Sequence, residues 1–272
     1  MLEPLVSIII LNWNGWQDTK ECLESVHQTK YVNYKVIVID NGSSDGSVLM
    51  IKNSYPDLLI LENGVNLGFA AGNNIGINYA VDKLKSDYVF LLNNDTVIDP
   101  YCIEELIKIA ESNKSVGIVG AKLYDYGTNN IQLHGGKINW WLYPGYCGNY
   151  SNINQDIECD WVSGAAMLIR TTMEVYTFNQ LYYFGCEDID LCLRVKKYGY
   201  KCIASSSSIV WHKDGVSRKK RRFTKIKDIQ TSLLFTSKNH PLMLPLHLLQ
   251  ATAIECKNAI CPQISFIRFI PK

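Results

Sequence analysis

The first half of the chain alternates short apolar strands with longer helical segments, and this alternation limits the fold more than any other feature. The segments between the strands, at 16–29, 47–55 and 70–84, have helical character. Strands that alternate with helices in this way predict a mainly parallel sheet with helices on both faces. Four runs rich in Val, Ile and Leu have the composition of strands buried on both sides: residues 6–11, 35–39, 58–61 and 88–92.

The alternation continues through one more helix and strand and breaks down after residue 123. Asp99 and Pro100 suit the cap and the first position of a helix over 101–112, and residues 116–123 have the composition of a fifth strand. Residues 124–160 are rich in Gly, Asn and aromatic side chains, which favours loops and short strands. Later strands are predicted at 161–170, 201–205 and 209–211, and later helices at 188–198 and 225–238.

The length and composition fit one large globular domain with an extension. The chain has 272 residues, 47% of them hydrophobic. We predict a domain over 1–215, with halves of about 1–123 and 124–215, followed by a basic, helical extension over 216–272. A formal net charge of +1 gives no field that favours nucleic acid. Nine cysteines without C-x-x-C spacing suit the reducing cytoplasm.

The sequence contains neither a long apolar run nor a recognisable leader. No uninterrupted apolar run approaches the roughly 18 residues that are needed to cross a bilayer. The first residues lack a charged region followed by an apolar core, so no secretion signal is expected. We therefore expect a cytoplasmic protein.

Polar, turn-forming residues follow each of the four strands of the first half. Because the carboxyl ends of parallel strands meet at one edge, where open sheets bind ligands, these segments are predicted to form one site. Asn, Asp and Gly are also common in ordinary turns, but four such segments on one edge favour a ligand site. They are Asn12-Trp13-Asn14-Gly15, Asp40-Asn41-Gly42-Ser43, Asn63-Gly64-Val65-Asn66-Leu67-Gly68 and Asn93-Asn94-Asp95.

The residue types in these segments suit a nucleotide and a metal ion. Asp40 can accept a hydrogen bond from a pyrimidine base or a ribose hydroxyl, while Asn66 and Asn73 offer neutral donors and acceptors. Gly68 allows close approach of the backbone to a ligand. Asp95 is predicted at the rim of the sheet, where its carboxylate can hold Mg²⁺ or Mn²⁺ together with diphosphate oxygens. Such a cation neutralises the charge that builds on a departing diphosphate.

A cluster of acidic residues opens the helix predicted at 188–198. Acidic side chains in the first turn are stabilised by the helix dipole, which is the simple structural explanation. Glu187, Asp190 and Arg194 share one face of this helix, whereas Asp188 lies on another. We therefore interpret Glu187 and Asp190 as supporting the structure through Arg194, and Asp188 as available for chemistry.

Five segments in a characteristic order and spacing carry a resemblance to a known family. They are residues 6–14, 38–47, 66–76, 91–95 and 187–194. Together they resemble the family 2 inverting glycosyltransferases of the GT-A fold, and within them the rhamnosyltransferase-like branch, over roughly residues 5–215. The resemblance implies an α/β nucleotide-diphospho-sugar transferase fold with a mainly parallel central sheet, helices on both faces and a C-terminal helical extension.

The resemblance also implies roles for individual residues. Asp188 matches the catalytic base, and Asp95 and His212 match the metal site. Gly164, Ala165 and Glu187 match the acceptor side. The positions that match the donor-binding site are Asn12, Asn14, Asp40, Asn66, Gly68, Asn73, Asn93 and Asn94.

The implied reaction moves a sugar, with inversion, from a nucleoside diphosphate to a hydroxyl of a glycan or lipid-linked glycan. Deoxythymidine-diphosphate rhamnose is the first expectation for the donor and a uridine-diphosphate sugar the second, with Mg²⁺ or Mn²⁺ as cofactor. The chain departs from the family at one point, because the D-x-D triplet appears as Asn93-Asn94-Asp95. An Asn carbonyl binds a hard cation more weakly than a carboxylate, so this site would rely more on the donor's phosphates.

Two other functions stay open at this stage. A nucleotidyltransferase uses a similar sheet and metal, but residues 12–16 lack the basic, Gly-rich loop that would hold a triphosphate. A non-catalytic nucleotide-sugar-binding module would account for the missing first carboxylate. A zinc site is disfavoured, and buried thiols are expected instead, because of the irregular spacing of Cys186, Cys192, Cys202 and His212.

Two further features have open interpretations. Trp140, Trp141 and Tyr143 suit stacking on sugar rings or packing in a core. The basic run 218–222 and the apolar stretch after it fit either a solvated surface or contact with an anionic membrane. Membrane contact would place the protein at the inner face of the cell membrane, where it would meet a lipid-linked acceptor.

Overall fold

A ten-stranded mixed β-sheet forms the body of the protein. The computed structural model describes residues 3–143, 146–148, 154–213 and 224–260. The strands of this sheet are β1 (Val6–Asn12), β2 (Tyr34–Asp40), β3 (Leu59–Glu62), β4 (Tyr88–Asn93), β5 (Thr96–Ile98), β6 (Val116–Asp125), β7 (Ile131–Leu133), β10 (Ile157–Cys159), β11 (Ala166–Arg170) and β12 (Lys201–His212). Two more strands, β8 (Gly136–Ile138) and β9 (Tyr146–Gly148), pair in a small second sheet.

The helices follow the alternation that the sequence predicts. Five belong to the sheet-containing part of the chain, namely α1 (Trp16–His27), α2 (Ser47–Ser54), α3 (Phe69–Asp82), α4 (Cys102–Ser112) and α5 (Glu187–Lys197). Two more, α6 (Thr224–Asn239) and α7 (Leu244–Ile260), follow β12, with a short 3-10 turn at Pro241–Met243 between them.

The strand order is β10-β12-β6-β11-β4-β1-β2-β3, with β5 paired to β12 and β7 to β6. β3, β2, β1 and β4 are parallel, and β11 joins them to the rest through antiparallel pairs with β4 and β6. In the parallel block, Asn12 lies opposite Asp40, and Leu11 lies opposite Asn93. The polar strand ends therefore meet at one edge, as predicted.

Apolar side chains pack on both faces of the sheet. On one face, Leu23 of α1 and Leu106 of α4 belong to a buried cluster with residues of β1 and β4. On the other face, Ile77 of α3 and Leu191 of α5 pack with a second cluster. The near-continuous Val, Ile and Leu content of the central strands follows from burial on both sides.

Helix α3 lies unusually close to the sheet. A Cβ atom at Gly76 would stand 2.7 Å from Ile9 Cγ2, and a Cβ atom at Gly72 would stand 2.8 Å from Leu11 Cδ1. These contacts are tighter than side chains allow, so the glycines permit the close packing. The N-terminus of α3 is thereby held against the carboxyl ends of the strands.

Several element boundaries differ from those predicted. β12 is one strand where two were predicted, because an irregular register between Ala204 and Ile209 interrupts the apolar pattern without ending the strand. β11 begins at Ala166 and not at residue 161, because the residues before it form a turn. The short strand β5 was not predicted. α4 begins at Cys102 with Tyr101 as its N-cap residue, so the prediction of Asp99 as the cap was wrong, although Asp99 Oδ1 accepts a hydrogen bond from Tyr101 N at 2.9 Å.

The chain divides into two compact units. The first comprises Met1–Lys137 with Gly148–Arg222, and the second comprises Ile138–Cys147 with Phe223–Lys272. The predicted boundary at 215 lies outside the described residues, so that division stays a prediction. Among the described residues, no helix has the length and apolar character that crossing a membrane requires.

Within the second unit, aromatic packing accounts for one of the tryptophans. The Trp140 ring stacks on Phe235 with centroids 5.6 Å apart, and it also contacts His240 at 5.1 Å. His247, which is fully buried, donates from Nε2 to the Trp140 carbonyl at 2.8 Å. Trp140 is therefore used in packing, which was one of the two interpretations left open by the sequence.

Replacing Arg170 by leucine tests how β11 is joined to α4. The guanidinium of Arg170 is 6% exposed and donates to the carbonyls of Val116 (3.0 Å) and Ala110 and to the Glu111 carboxylate (3.1 Å). Its loss removes the buried donor of the Val116 and Ala110 carbonyls, so we expect the free energy of unfolding in urea to fall by about 2–4 kcal/mol. Lys114→Ala removes an exposed ion pair with Glu111 and should cost less than about 1 kcal/mol. Equal losses of stability in the two variants would contradict a role of Arg170 in joining β11 to α4.

Candidate active site

A network of side chains at the carboxyl edge joins the ends of β1 and β2. Asn12 is fully buried, and its Nδ2 donates to Asp40 Oδ1 at 2.8 Å and to Ser43 Oγ at 3.1 Å. Its Oδ1 accepts from Thr19 Oγ1 at 2.8 Å. The structure therefore uses the Asn12 amide to orient Asp40 and the start of α1, which the sequence alone did not indicate.

The loops after β1 and β2 are also linked to each other. Asn14 adopts a left-handed conformation (φ 50°), and its Oδ1 accepts from Ser44 N at 2.8 Å. Its own backbone N–H donates to Ser43 Oγ at 2.9 Å. Asp40, at the end of β2, is 2% exposed, and its Oδ2 accepts from Ser43 N at 2.9 Å. Asn14 and Asp40 thus lie together, as the sequence predicted.

Asn41 is the centre of a second network, and it was not among the predicted site residues. It is buried, and its Nδ2 donates to Asn66 Oδ1 at 3.1 Å and to the Gly68 carbonyl at 3.2 Å. Its Oδ1 accepts from Asn63 Nδ2 and from Leu67 N, both at 3.1 Å. Asn41 therefore fixes the loop that carries Asn66 and Gly68. Its position in a strand-end segment was visible, but its inward direction was not.

Gly68 makes a contact that no other residue type permits. It has φ 84° and ψ 178°, and a Cβ atom there would stand 2.6 Å from the Tyr183 carbonyl oxygen. The Phe69 N–H donates to the same oxygen at 3.0 Å, and the Tyr183 hydroxyl donates to Asn66 Oδ1 at 3.2 Å. The loop before α3 is thereby attached to the segment that leads into α5.

Two asparagines of α3 serve different purposes. Asn73, a predicted donor-binding residue, is buried and donates from Nδ2 to the Phe69 carbonyl at 3.0 Å. Asn74 exchanges two hydrogen bonds of 2.9 Å with the backbone of Phe178. The Phe178 contact attaches the segment before α5 to α3, so Asn74 is a second structural residue that the sequence did not reveal.

The predicted metal ligands are brought together at the end of β4 and β12. Asp95 Oδ1 lies 3.3 Å from His212 Nε2, and both side chains are mostly buried. Asn93 Nδ2 lies 3.5 Å from the same nitrogen. Asn94 points elsewhere, since its Nδ2 donates to Thr19 Oγ1 at 3.0 Å.

Asp95 and His212 fit a divalent cation as a partial ligand set. A carboxylate oxygen and an imidazole nitrogen are both ligands of Mn²⁺, and Mg²⁺ also takes carboxylate. Asp95 Oδ1 and His212 Nε2 are 3.3 Å apart, so both atoms can reach one cation. No group of three His, Cys, Asp or Glu side chains within the described ranges is arranged to hold a metal. The remaining positions would therefore fall to ligand oxygens and water.

The thiols do not form a zinc site in the described part of the chain. Cys186, Cys192 and Cys202 are buried, and none of the three is in a disulfide. Burial raises the pKa of the Cys192 thiol well above its ordinary value, which keeps it protonated and a poor metal ligand. The interpretation of these cysteines as buried thiols agrees with the structure.

Asp188 lies in the first turn of α5 and is held at both oxygens. Its Oδ2 accepts from Gly164 N at 3.0 Å, and its Oδ1 accepts from Ile189 N at 2.8 Å. Burial raises the pKa of this carboxyl above its ordinary value, although the two N–H donors act in the opposite direction. A carboxylate with a raised pKa is a stronger base than an exposed aspartate.

The turn at 163–165 connects Asp188 to the end of β4. Gly164 donates to Asp188, and the carbonyl of the next residue, Ala165, accepts from Asn93 N at 2.9 Å. Asn93 lies two residues before Asp95. Asp188 and the Asn93-Asn94-Asp95 triplet are therefore attached to adjacent residues of one short turn, at the same edge of the sheet.

The other acids of α5 have structural partners. Asp190 is buried, and its Oδ2 accepts from Arg194 Nε at 2.7 Å while its Oδ1 accepts from the Tyr182 hydroxyl at 3.2 Å. The ion pair between Asp190 and Arg194 agrees with the helical spacing in the sequence. Glu187 is also buried, one residue from Asp188 on the helix.

The sequence is similar to a known protein family and to several known proteins. Residues 7–175 match the sequence model of glycosyl transferase family 2. An uncharacterized protein of Sinorhizobium fredii is 30% identical over 234 residues, which cover 79% of this chain but only 25% of that protein. The rhamnosyltransferase WbbL of Escherichia coli is 29% identical over 219 residues, covering 72% of this chain and 79% of that protein.

A third relative and a solved structure extend the comparison. The N-acetylglucosaminyl-diphospho-decaprenol L-rhamnosyltransferase of Mycobacterium tuberculosis is 25% identical over 201 residues, which cover 65% of this chain and 66% of that protein. The fold matches that of the mannosyltransferase PcManGT from Pyrobaculum calidifontis in complex with GDP-Man and Mn²⁺, with a TM-score of 0.65 at 16% identity over 97% of this chain and 78% of that one. The GT-A fold is thereby confirmed.

Replacing Gly68 by alanine tests the contact with Tyr183. Gly46 is the control for a positive φ (85°), because no atom lies within 4 Å of its virtual Cβ. Its ψ is 3°, whereas Gly68 has ψ 178°, which adds backbone strain of its own when a Cβ atom is present. Gly46→Ala should cost about 1–2 kcal/mol of stability from backbone strain alone. Gly68→Ala adds a clash with the Tyr183 carbonyl, so its free energy of unfolding in urea should fall by clearly more. Equal costs would show that Tyr183 does not constrain this loop.

Proposed function

The chain belongs to glycosyl transferase family 2, and we propose on that basis that it moves a sugar from a nucleoside diphosphate to an acceptor hydroxyl with inversion. The 163–165 turn carries this proposal, because it attaches a carboxylate of raised basicity and the Asn93-Asn94-Asp95 triplet to the same edge of the sheet. A base and a diphosphate site close together are what a single displacement needs.

In the proposed reaction, Asp188 takes the proton of the acceptor hydroxyl. The hydroxyl oxygen attacks the anomeric carbon as the bond to the diphosphate oxygen breaks, which inverts that carbon. The Gly164 and Ile189 N–H groups fix the carboxylate, so its remaining lone pairs have a defined direction. Gly164, Ala165 and Glu187 would border the acceptor, since they lie beside Asp188 in the turn and the helix.

The proposed donor site uses the loops after β1, β2 and β3. Asp40 keeps lone pairs beyond its two internal hydrogen bonds, and these would accept from the base or the ribose. Asn12 would act by orienting Asp40. The remaining donor-site residues in the proposal are Asn14, Asn66, Gly68, Asn73, Asn93 and Asn94.

Asp95 and His212 would hold the divalent cation, Mg²⁺ or Mn²⁺, at the diphosphate. When bound, such a cation stabilises the negative charge of the leaving diphosphate. The structural relative PcManGT contains Mn²⁺ and GDP-Man, which supports a divalent metal with a nucleotide sugar in this fold.

The names of two relatives support the proposed donor and acceptor. Two relatives are rhamnosyltransferases, so we propose deoxythymidine-diphosphate rhamnose as the donor, with a uridine-diphosphate sugar as the second candidate. The mycobacterial relative is named for a decaprenol-linked acceptor, which supports a glycan on a lipid carrier as the acceptor here. The proposal implies a cytoplasmic enzyme at the inner face of the cell membrane.

The second unit offers a surface that suits such an acceptor. Its exposed apolar side chains include Trp141, Leu142, Leu242, Leu248, Leu249 and Ile254. The basic run 218–222 precedes this unit in the sequence but lies outside the described residues. Apolar side chains together with basic residues are typical of surfaces that bind anionic lipid. We propose peripheral membrane contact through this unit and the basic run that is adjacent to it in the sequence.

Replacing Asp188 by asparagine separates chemistry from donor binding. We expect transfer to fall by at least about 100-fold, because general-base catalysis is lost. Stabilisation by a nucleotide sugar with Mn²⁺, measured as a shift in melting temperature over a panel that includes deoxythymidine-diphosphate rhamnose, should remain. Asp190→Asn is the control, because it should lower the melting temperature but keep transfer. Substantial turnover in Asp188→Asn would exclude Asp188 as the base.

Replacing Leu242 and Leu249 by serine tests membrane contact. Both side chains are mostly exposed, so the double variant should fold normally. Flotation with vesicles that contain anionic phospholipid should fall by at least about 10-fold, since each inserted leucine contributes on the order of 1–2 kcal/mol. Leu49→Ser removes an exposed leucine of the first unit and should leave flotation unchanged. Equal flotation of the two variants would refute this surface.

A further inference from the structure

Gln132 of β7 connects to the proposed metal site through His212. The edge strand β7 pairs with β6, and the last residue of β12, His212, lies opposite Asp125 of β6. This arrangement brings Gln132 Oε1 to 2.8 Å from His212 Nδ1, although the two residues are 80 positions apart. Gln132 Nε2 donates to Asp125 Oδ1 at 3.2 Å.

The hydrogen bonds around Gln132 fix which imidazole nitrogen carries hydrogen. An ionised carboxylate only accepts, so Asp125 requires the NH₂ group of Gln132 on its side. The carbonyl oxygen of the Gln132 amide then faces His212, and a carbonyl oxygen also only accepts. His212 must therefore donate from Nδ1.

The other nitrogen of a neutral His212 then presents a lone pair. A neutral imidazole has one N–H, so a hydrogen on Nδ1 leaves Nε2 as an acceptor. Nε2 points at Asp95 Oδ1, 3.3 Å away, and the Asn93 amide nitrogen is 3.5 Å from it. An amide N–H beside Nε2 agrees with an acceptor at that position, and the facing carboxylate oxygen leaves the place between the two atoms suited to a cation.

We propose that Gln132 is a positioning residue that keeps hydrogen on His212 Nδ1 and so leaves Nε2 available to a divalent cation shared with Asp95. The inference rests on the proposed function, because it takes Asp95 and His212 as the metal ligands. Without Gln132, Nε2–H can donate to Asp95 Oδ1, and this hydrogen bond would occupy both ligand atoms. Partners of a metal-bound imidazole commonly have this effect on metal affinity.

The matched variants are Gln132→Leu and the pair Gln132→Glu with Asp125→Asn. Leucine removes the acceptor for Nδ1–H. The double variant keeps an acceptor for His212 Nδ1–H. The hydrogen bond between positions 125 and 132 is also kept but reversed, because the amide introduced at position 125 would donate to the carboxylate introduced at position 132. If Gln132 acted only in folding, these variants would not differ in which nitrogen of His212 carries hydrogen.

The first readout is the tautomer of His212 in the metal-free protein. Long-range ¹H–¹⁵N correlation spectra of the neutral imidazole should show hydrogen on Nδ1 in the wild-type protein and in the double variant. Gln132→Leu should shift the population towards Nε2–H. A wild-type His212 with hydrogen on Nε2, or a tautomer that Gln132→Leu leaves unchanged, would overturn the inference.

The second readout is the affinity for Mn²⁺ alone, measured by the loss of the free-ion electron paramagnetic resonance signal. Gln132→Leu should weaken binding by about 10–100-fold, and the double variant should bind within a few-fold of wild type. Unchanged binding in Gln132→Leu overturns the inference and leaves the proposed metal site intact. Wild-type binding that is insensitive to Asp95→Ala and His212→Ala overturns both, so the two failures are distinguishable.

Discussion

The hydrogen bond from Gly164 N to Asp188 Oδ2 is the contact on which the arrangement of the site depends. It attaches α5 to a turn whose next residue, Ala165, accepts from Asn93 at the end of β4. A Cβ atom at Gly164 would stand 3.2 Å from Phe69 Cε1, so the turn is also close to the start of α3. One short turn thus positions elements from three distant parts of the sequence.

This contact also sets the electrostatics of Asp188. Burial disfavours the charged carboxylate, whereas N–H donors favour it, and burial is the larger effect because the pKa is raised. In the proposed mechanism, the raised pKa makes Asp188 a stronger base than an exposed aspartate. The backbone N–H groups, which do not titrate, hold its carboxylate in one orientation. Asp190, two residues later, differs because Arg194 and Tyr182 already use its oxygens.

The sequence predicted the parts of the site that depend on local pattern. The shared edge of β1, β2 and β4 follows from alternation and polar strand ends, and the Asp190–Arg194 pair follows from helical spacing. The inward direction of Asn12 and Asn41 could not be predicted, because an amide in a turn segment can point to solvent or to the interior. Contacts such as Asn74 with Phe178, 104 residues apart, depend on packing that no local pattern records.

The amide-rich composition of the site has a consequence for how metal and donor would bind. With Asn93 in place of a carboxylate, Asp95 is the only acidic side chain of the triplet, so a divalent cation there would keep excess positive charge. A diphosphate supplies the missing negative oxygens, and the cation in turn reduces the repulsion between the diphosphate and Asp95. By thermodynamic linkage, the cation and the diphosphate each change the affinity of the other by the same factor. The cation and the diphosphate should therefore each bind more tightly in the presence of the other. An imidazole ligand such as His212 brings no negative charge, so it adds affinity for the cation without replacing the diphosphate.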